Sequence, residues 1–329
     1  MSTPPDPTVS VLVPVRDDED YIKPAIDSIL SQTYADFELV LIEAGSVDST
    51  PEIIASYDDP RIRVETVSDK ASLYEALNYG LRVCRGHYIA RHDADGLSVP
   101  TRIEKQVRYL NENPAVVAIG TSAHLLTPGG ARTETISLTP RVTIQTLRRQ
   151  NELIHGSVMV RRDALDSIGG YDELFKIRGG YDLWLRLLSE GELHNFVAPL
   201  YNIRTYRTPV SSHVIRDLAL YHYFALHQHG YGDIGSVEQL EQDRSLETFL
   251  DSLPKSTRAS FHVDVAQTML RYGKRSDARR ELITALHHSA SHKAVVLLLM
   301  SFGGPLVDKF VPADFQKYRF RELDRKKWQ

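Results

Sequence analysis

Residues 9–43 read VSVLVPVRDDEDYIKPAIDSILSQTYADFELVLIE, in which two short apolar runs flank a segment of mixed polarity. Both runs are rich in Val, Leu and Ile, as is typical of strands that are buried on both faces of a parallel sheet. Between them, apolar residues recur at the three- and four-residue spacing of an amphipathic helix. This stretch therefore predicts a β-α-β unit with strands at Val9–Val15 and Phe37–Glu43 and a helix at Tyr21–Gln32.

The same alternation of strand and helix patterns continues along the first half of the chain. Further strands are predicted at Ile62–Val67, His87–Arg91 and Val116–Ala123, with helices at Asp48–Tyr57, Ala71–Cys84 and Val99–Asn111. Repeated β-α units predict an α/β fold with a mostly parallel central sheet, right-handed crossovers and flanking helices. Ligands of such sheets bind beyond the carboxyl ends of the strands, so the residues after each strand are the first candidates for a site.

The second half of the chain changes from a mixed pattern to an almost purely helical one. Strands are predicted at His155–Arg161 and Leu200–Tyr206, with a helix at Tyr181–Ser189 between them. After Ser212 the predicted elements are all helices: His213–His229, Val237–Leu253, Phe261–Tyr272, Ser276–His288 and a last stretch to Gln329. We therefore expect an α/β domain over residues 1–212 and an α-helical C-terminal region over residues 213–329.

The composition is that of an ordinary globular protein. The 329 residues are 42% hydrophobic and 25% charged, with a formal net charge of -4, which argues against disordered, collagen-like and nucleic-acid-binding classes. The single cysteine, Cys84, excludes an intramolecular disulfide and a cysteine-rich metal site, and its core-facing spacing indicates a structural role. We expect no signal peptide and no membrane-spanning segment, since the longest strongly apolar run is Ala294–Met300. These features favour a cytoplasmic protein.

Two common nucleotide-binding motifs do not occur in the sequence. The first predicted strand ends in Pro14-Val15-Arg16-Asp17 instead of a glycine-rich turn, and the chain has no phosphate loop ending in Lys-Ser/Thr. Asp93-Ala94-Asp95 follows the strand predicted at His87–Arg91 and offers two carboxylates at i and i+2. Such oxygen ligands suit Mg²⁺ or Mn²⁺, which would bridge nucleotide phosphates and offset the charge of a departing diphosphate. The alternative is that Asp-x-Asp before Gly96 is only a turn.

Several ordered motifs are similar to those of a known enzyme family. They are the opening stretch over residues 9–50 and the segments ALNYGLRVCRGHYIARHDADGLSVPTRIEKQVRYL, HGSVMVRRDALDSIGGYDELF and YDLWLRL. Over residues 9–206 the chain resembles the family 2 glycosyltransferases, which have the A-type nucleotide-sugar-binding fold. The resemblance implies inverting transfer of a sugar from a nucleoside diphosphate sugar, assisted by a divalent metal ion. It also implies that residues 1–212 form the nucleotide-sugar-binding domain.

The resemblance further implies roles for residues at the ends of the predicted strands. In the family the last aspartate of the Asp-x-Asp motif coordinates the metal ion, which falls here on Asp95. Asp93 matches the first aspartate, which lies near the ribose or the sugar, and it is a second candidate metal ligand. The nucleotide site is then expected to include the residue between them and the end of the first strand: Ala94, Pro14, Val15 and Arg16.

Three residues near the expected donor site each allow two interpretations. Glu43 stands where the family usually has paired aspartates, and it could accept a hydrogen bond from a base N–H or be a solvent-facing acid at a strand end. Arg16 could stack on a base or pair with phosphate, or it could be a solvated surface residue. Lys70 could approach the diphosphate, or it could lie in an exposed turn.

The expected catalytic base departs most from the family pattern. Inverting transfer needs a group that takes the proton of the acceptor hydroxyl as that oxygen attacks the anomeric carbon. The family commonly uses the Asp of a Glu-Asp pair, which falls here on Gly179-Gly180, and neither glycine can act as a base. The remaining candidates are Asp182, His155, Asp172 and Glu173, with a packed or capping role as the alternative for His155.

The C-terminal tail interleaves aromatic with basic residues between Phe302 and Trp328. This pattern suits peripheral contact with the inner face of a membrane and hence a lipid-linked acceptor, or else a helix packed on its own domain. Three functions stay open: a glycosyltransferase that acts on a glycan or lipid-linked acceptor in polysaccharide biosynthesis, a catalytically degenerate nucleotide-sugar-binding or scaffold protein, and a helical interaction module. No nucleic-acid partner is expected.

Overall fold

The computed structural model describes residues 6–205, 211–231 and 246–302 of the chain. These residues form two compact units. Residues 6–205 make an α/β unit, and the described residues from 211 onward make a helical unit.

A mixed sheet forms the centre of the α/β unit. Within the described residues its strands are β1 Val9–Val15, β2 Phe37–Glu43, β3 Ile62–Thr66, β4 Tyr88–Arg91, β5 Leu97–Ser98, β6 Val116–Leu126, β7 Arg132–Ile136, β8 Arg141–Val142, β9 Met159–Arg161 and β10 Glu192–Arg204. Their order is β3-β2-β1-β4-β9-β6-β10-β5, with β7 paired to β6 and β8 paired to β10. Because β9 is antiparallel to both of its neighbours, β1 to β4, β6 and β10 all run in one direction. The predicted mostly parallel sheet with flanking helices is therefore confirmed.

Helices pack on both faces of this sheet. They are α1 Ile22–Leu30, α2 Thr50–Ala55, α3 Leu73–Val83, α4 Arg102–Glu112, α5 Ile144–Arg149, α6 Arg162–Ser167 and α7 Gly179–Leu187. In β1, Val11 packs in one core cluster with residues of α1 and α4, whereas Leu12 faces Gly80 of α3. Burial on both faces explains why β1 is a continuous apolar run without alternation.

The structure differs from the sequence-based expectation in several elements of the α/β unit. The strand predicted from His155 begins only at Met159, because His155–Ser157 form a 3₁₀ turn in which Ser157 Oγ donates to the Ile154 carbonyl at 2.9 Å. The strand predicted at Leu200–Tyr206 is the second half of the longer β10. Five short elements were not predicted: β5, β7, β8, α5 and α6.

The helical unit contains the helices α8 Ser212–Gln228, α9 Leu246–Ser252, α10 Lys255–Arg271, α11 Arg275–His288 and α12 His292–Ser301 within its described residues. Phe261, Ala266 and Leu282 lie in its apolar core. Gly273 turns the chain between α10 and α11 with φ 70°, a value that glycine adopts without strain. These two helices correspond to those predicted at Phe261–Tyr272 and Ser276–His288. Among the described residues no helix combines the length and the apolar character needed to span a bilayer. Except for Phe302, the aromatic and basic tail lies outside the described residues.

Candidate functional site

Arg16 follows β1 and joins the loops that follow β2 and β3 at the carboxyl edge of the sheet. Its Nε donates to the Ala44 carbonyl at 2.6 Å and its Nη2 donates to the Ala71 carbonyl at 2.9 Å. Burial lowers the pKa of Arg16, although nearby carboxylates act in the opposite direction. Pro14 and Val15, the last two residues of β1 before this arginine, are buried. The segment expected to contact the nucleoside is therefore fixed in place, and Arg16 is not a solvated surface residue.

Glu43 orders the loop that follows β2. Its carboxylate is buried, and its oxygens accept hydrogen bonds from the backbone N–H groups of Gly45 at 3.1 Å and Ser46 at 2.6 Å. Lys70 is exposed in the turn after β3, where its backbone N–H donates to Ser68 Oγ at 3.2 Å. Glu43 is thus held at the end of a strand, whereas Lys70 lies in the exposed turn that its sequence context allows.

Asp93 and Asp95 follow the buried strand β4 at the same edge of the sheet. Oδ1 of Asp93 forms an ion pair with Nη2 of Arg91 at 2.9 Å, and Oδ2 accepts a hydrogen bond from Tyr201 Oη at 3.4 Å. Asp95 is 9% exposed, and Ala94 between the two aspartates is buried. The turn therefore brings two largely shielded carboxylates to the edge where ligands of parallel sheets bind.

A second arginine holds the chain beneath this turn. Arg102 of α4 is fully buried and donates to the carbonyls of Arg91 at 2.8 Å and Gly156 at 3.1 Å. Burial lowers the pKa of Arg102 to about 10, so the guanidinium stays cationic at neutral pH. The same cation lies 5.3 Å from the centre of the Tyr201 ring. Arg102 therefore connects β4, the 3₁₀ turn and β10.

Two glycines allow the groups around Asp93 to pack this closely. A Cβ atom on Gly96 would lie 1.8 Å from Tyr201 Oη, and one on Gly156 would lie 2.0 Å from Asp93 Oδ2. Neither distance is compatible with a side chain, so the position of Asp93 depends on both glycines.

The two aspartates are the candidate metal ligands. Within residues 6–205, 211–231 and 246–302 no three His, Cys, Asp or Glu side chains are arranged as a metal site. Mg²⁺ and Mn²⁺ need no such cluster, because they commonly bind one or two protein carboxylates and take their other ligands from phosphates and water. The residues present therefore fit an ion that arrives with a phosphate-bearing ligand, and they do not fit a closed, all-protein metal site.

Gly179 and Gly180 begin α7 at the position expected for an acidic pair. The Gly179 N–H donates to Tyr74 Oη at 2.7 Å, and a Cβ atom on Gly179 would lie 2.5 Å from the Tyr74 ring. A Cβ atom on Gly180 would lie 3.3 Å from the ring of His155. Aromatic and imidazole rings therefore fill the space beside both glycines.

His155 lies in a cluster of rings beside α7. Its Nε2 is 2.7 Å from Tyr171 Oη, and its ring centre is 5.9 Å from that of Trp184 in an edge-to-face arrangement. Trp184 itself is buried in the core. The imidazole thus has a defined orientation next to Gly180.

Asp182, the second candidate base, is fully buried and forms an ion pair within α7. Its Oδ2 accepts hydrogen bonds from Arg186 Nη2 at 2.7 Å and Nε at 3.0 Å. Arg186 also donates to the carbonyls of Ile168 at 2.8 Å and Gly170 at 2.7 Å. This network fixes the loop that precedes Tyr171, which is a structural task for Asp182.

The other two carboxylate candidates lie in the loop before α7. Asp172 Oδ1 accepts from the Leu174 N–H at 2.9 Å, and Glu173 Oε1 accepts from Asn78 Nδ2 at 2.8 Å. Glu173 is exposed and bound to α3, while Asp172 shapes its own turn.

Comparison with known proteins identifies the family to which the chain belongs. Residues 10–169 match the model of the Glycosyl transferase family 2. The O-antigen biosynthesis glycosyltransferase WbnJ of Escherichia coli is 33% identical over 186 residues, which cover 55% of this chain and 72% of WbnJ. The chain belongs to glycosyl transferase family 2. EpsE of Bacillus subtilis is likewise 33% identical to this family 2 glycosyltransferase over 208 residues, covering 60% of this chain and 73% of EpsE.

Solved structures show the same fold for the family 2 chain at low sequence identity. S. aureus TarS 1-349 in complex with UDP-GlcNAc has a TM-score of 0.57 and 13% identity, covering 98% of this chain and 92% of TarS. The mannosyltransferase PcManGT from Pyrobaculum calidifontis, in complex with GDP-Man and Mn²⁺, has a TM-score of 0.56 and 15% identity, covering 98% and 88% of the two chains. These similarities confirm the A-type glycosyltransferase fold expected from the sequence.

Several residues of the site carry no distinctive signal in the sequence. Arg91 is the last residue of a four-residue strand, and Tyr74 and Tyr201 resemble ordinary core aromatics. The one feature that could have identified Arg91 from the sequence is its charge at the end of an otherwise apolar strand. A buried arginine there needs an anionic or carbonyl partner, and Asp93 follows two residues later.

Proposed function

We propose that this family 2 glycosyltransferase is a metal-dependent, inverting enzyme that moves a sugar from a nucleoside diphosphate sugar to a glycan or lipid-linked acceptor. The observation that carries the proposal is the Asp93-Ala94-Asp95 turn at the carboxyl end of β4, in a fold shared with proteins that bind UDP-GlcNAc and GDP-Man. The name of WbnJ supports a role in polysaccharide biosynthesis.

At the donor site, Asp95 and Asp93 would hold Mg²⁺ or Mn²⁺ and the diphosphate. The bound ion would supply positive charge that offsets the negative charge of the leaving nucleoside diphosphate. Arg16 and the end of β1 would contact the nucleoside, with Glu43 beside them and Lys70 within the neighbouring exposed turn. The sheet holds these groups rigidly, which favours binding of a donor in one orientation.

For the acceptor, His155 is the better-supported base. The acceptor oxygen would attack the anomeric carbon as its proton passes to an imidazole nitrogen, while the bond from that carbon to the diphosphate oxygen breaks with inversion. His155 lies 3.3 Å from the space a Gly180 side chain would use, and Tyr171 fixes its ring. Asp182 is the weaker candidate because Arg186 already pairs with it inside α7.

A second function is supported by one specific observation, the tight packing of Tyr74 against Gly179. Rings that fill the place of an acidic pair are also expected in a catalytically degenerate protein that binds a nucleotide sugar without transferring it. In either case residues 1–212 would bind the nucleotide sugar, and residues 213–329 would form an α-helical extension. We further propose a cytoplasmic location, with the C-terminal tail contacting the inner face of a membrane.

Calorimetric titration with UDP and GDP, with and without Mn²⁺, tests the donor site. Wild type should bind one of the nucleotides in a Mn²⁺-dependent way, and Asp95→Ala should abolish that binding. Asp163→Ala, an exposed acid at the start of α6, is the matched control and should bind as wild type does. Extended to a full panel of nucleoside diphosphates, failure of the wild type to bind any of them would contradict both functions, whereas binding without donor turnover would favour the degenerate one.

A further inference from the structure

Arg91 is a buried cation with unused hydrogen-bonding capacity at the end of β4. The residue is 5% exposed, and its Nη2 pairs with Asp93 Oδ1 at 2.9 Å. Its Nε and Nη1 have no hydrogen-bond partner among the described residues. Buried N–H groups of a guanidinium are almost always satisfied, so these two donors call for an acceptor that is not part of the described chain.

The direction of the Arg91 side chain follows from the pleat of the strand. The preceding residue, Ala90, belongs to the core cluster between the sheet and helices α1 and α4. Successive side chains of a strand point to opposite faces, so Arg91 lies on the face covered by α3. Tyr74 of α3 reaches Gly179 on that same side of the sheet.

Both backbone polar groups of Arg91 are hydrogen-bonded within the protein. Its N–H donates to the Val158 carbonyl at 2.8 Å, and its carbonyl accepts from Arg102 Nη2 at 2.8 Å. The guanidinium cannot therefore leave the site through a shift of the strand. Together with Arg102, it makes the surroundings of Asp93 cationic before any metal ion binds.

Resting on the proposed function, we infer that Arg91 binds the diphosphate of the donor directly through Nε–H and Nη1–H, while its Nη2 holds Asp93. Phosphate oxygens are strong acceptors for guanidinium N–H groups, because these hydrogen bonds are charge-assisted. Since Nε–H and Nη1–H point in different directions, they would bind oxygens of two phosphate groups, which a diphosphate supplies and a monophosphate does not. The arginine would thus connect the leaving group to Asp93, one of the two candidate metal ligands. It becomes a donor-specificity residue that discriminates nucleoside diphosphates from monophosphates.

Titration of Arg91→Met and Arg91→Lys with UDP, GDP and the corresponding monophosphates in Mn²⁺ tests this inference. We expect Arg91→Met to weaken diphosphate binding roughly 10- to 100-fold and monophosphate binding much less. Arg91→Lys keeps the charge but loses the two separately directed N–H donors, so its loss of affinity should be intermediate. Arg161→Met is the matched control: this arginine of β9 pairs with the other end of β4 and should leave nucleotide affinity unchanged.

A double-mutant comparison separates direct binding from positioning. In an Asp93→Asn background, direct binding predicts that Arg91→Met still weakens the diphosphate, whereas action through Asp93 alone predicts no further loss. The second result, or unchanged affinity in Arg91→Met, would overturn the inference and leave the proposed function intact. Absence of nucleotide binding by the wild type would overturn both. Thermal melting shows which variants are folded, and Arg91→Lys decides the question should Arg91→Met not fold.

Discussion

Tyr74 Oη accepts a hydrogen bond from the backbone N–H of Gly179 at 2.7 Å, and the Tyr74 ring occupies the space in front of the Gly179 Cα atom. The two residues are therefore complementary. Gly179 has no side chain to occupy the space that the Tyr74 ring fills, and its N–H donates to Tyr74 Oη. The ring of His155 likewise lies in the space beside Gly180. The absence of an acidic pair at the start of α7 is thus built into the packing of α3 and the 3₁₀ turn.

Gly179→Ala should destabilise the α/β unit by about 1–3 kcal/mol, the usual cost of overpacking a filled interior. The new Cβ atom would lie 2.5 Å from a Tyr74 ring carbon, and Tyr74 is fully buried and cannot move aside. Urea denaturation measures the change in the free energy of unfolding. Gly129→Ala is the control, because its Cβ atom would meet only Thr127 Oγ1 at 3.9 Å. Equal stability of the two variants would contradict the packing described here.

His155→Ala should reduce sugar transfer by roughly 10²- to 10⁴-fold, the range expected for loss of a general base. Adding Gly180→Asp should restore part of the rate, because removal of the ring opens the space into which the aspartate side chain would extend. Steady-state rates with a fixed donor and acceptor measure both effects.

Asp182→Asn provides the contrast to the His155 variants. Since Asp182 is fully buried against Arg186, the substitution should lower the melting temperature. The transfer rate per folded molecule should stay close to that of wild type. A folded Asp182→Asn protein that has lost transfer, beside a fully active His155→Ala protein, would reverse the assignment of the base.

The sequence predicted the buried strands β1 and β2 most accurately and missed short or polar strands such as β7. β1 and β2 are buried throughout and mostly apolar, and they were predicted with their observed bounds. In contrast, β7 reads RTETI, and four of its five residues are exposed, so it lacks an apolar pattern. β10 is broken by register shifts near Phe196 and Pro199, and only its apolar second half was evident. Edge strands depend on pairing with a neighbour, which a single segment does not reveal.

For the candidate site, the sequence identified the acidic residues after the strands but not the groups that hold them. Asp93 and Asp95 lie at the predicted strand end, because chain position alone determines that location. Tyr201 reaches Asp93 across 108 residues of sequence, and Arg102 reaches Gly156 across 54. Such contacts depend on the order of strands in the sheet, which local periodicity does not specify.

Cys84 should be unreactive toward a thiol reagent at pH 8 in the native protein and should react fully after unfolding. The residue is 3% exposed, and burial raises the pKa of its thiol to about 12, so almost no thiolate is present. With an aromatic disulfide as the reagent, the absorbance of the released aryl thiolate measures the reaction in buffer and in denaturant. Rapid stoichiometric labelling of the native protein would show that the end of α3 opens readily, against the packing observed.

Glu38→Gln should destabilise the protein by about 1.5–3 kcal/mol near neutral pH, the usual contribution of hydrogen bonds to a charged group. Oε1 of Glu38 accepts from Ser10 Oγ at 2.6 Å and from the Arg85 N–H at 2.7 Å, and Oε2 accepts from Arg63 Nη1 at 3.0 Å. Burial alone would raise the pKa of this carboxyl, but hydrogen bonds from these groups outweigh burial and lower the pKa below 4.5.

The pH dependence of this difference gives the sharper test. A carboxyl whose pKa is lower in the folded state contributes stability above its unfolded pKa, near 4.5, and that contribution is lost as the pH falls through the folded pKa. The difference in the free energy of unfolding between wild type and Glu38→Gln, measured by urea denaturation, should therefore be constant from pH 7 to about 5 and should shrink below pH 4.5. Glu112→Gln, an exposed acid at the end of α4, should show a small gap at every pH. A Glu38→Gln gap that stays constant down to pH 3 would mean that the buried carboxylate contributes through packing and not through its charge.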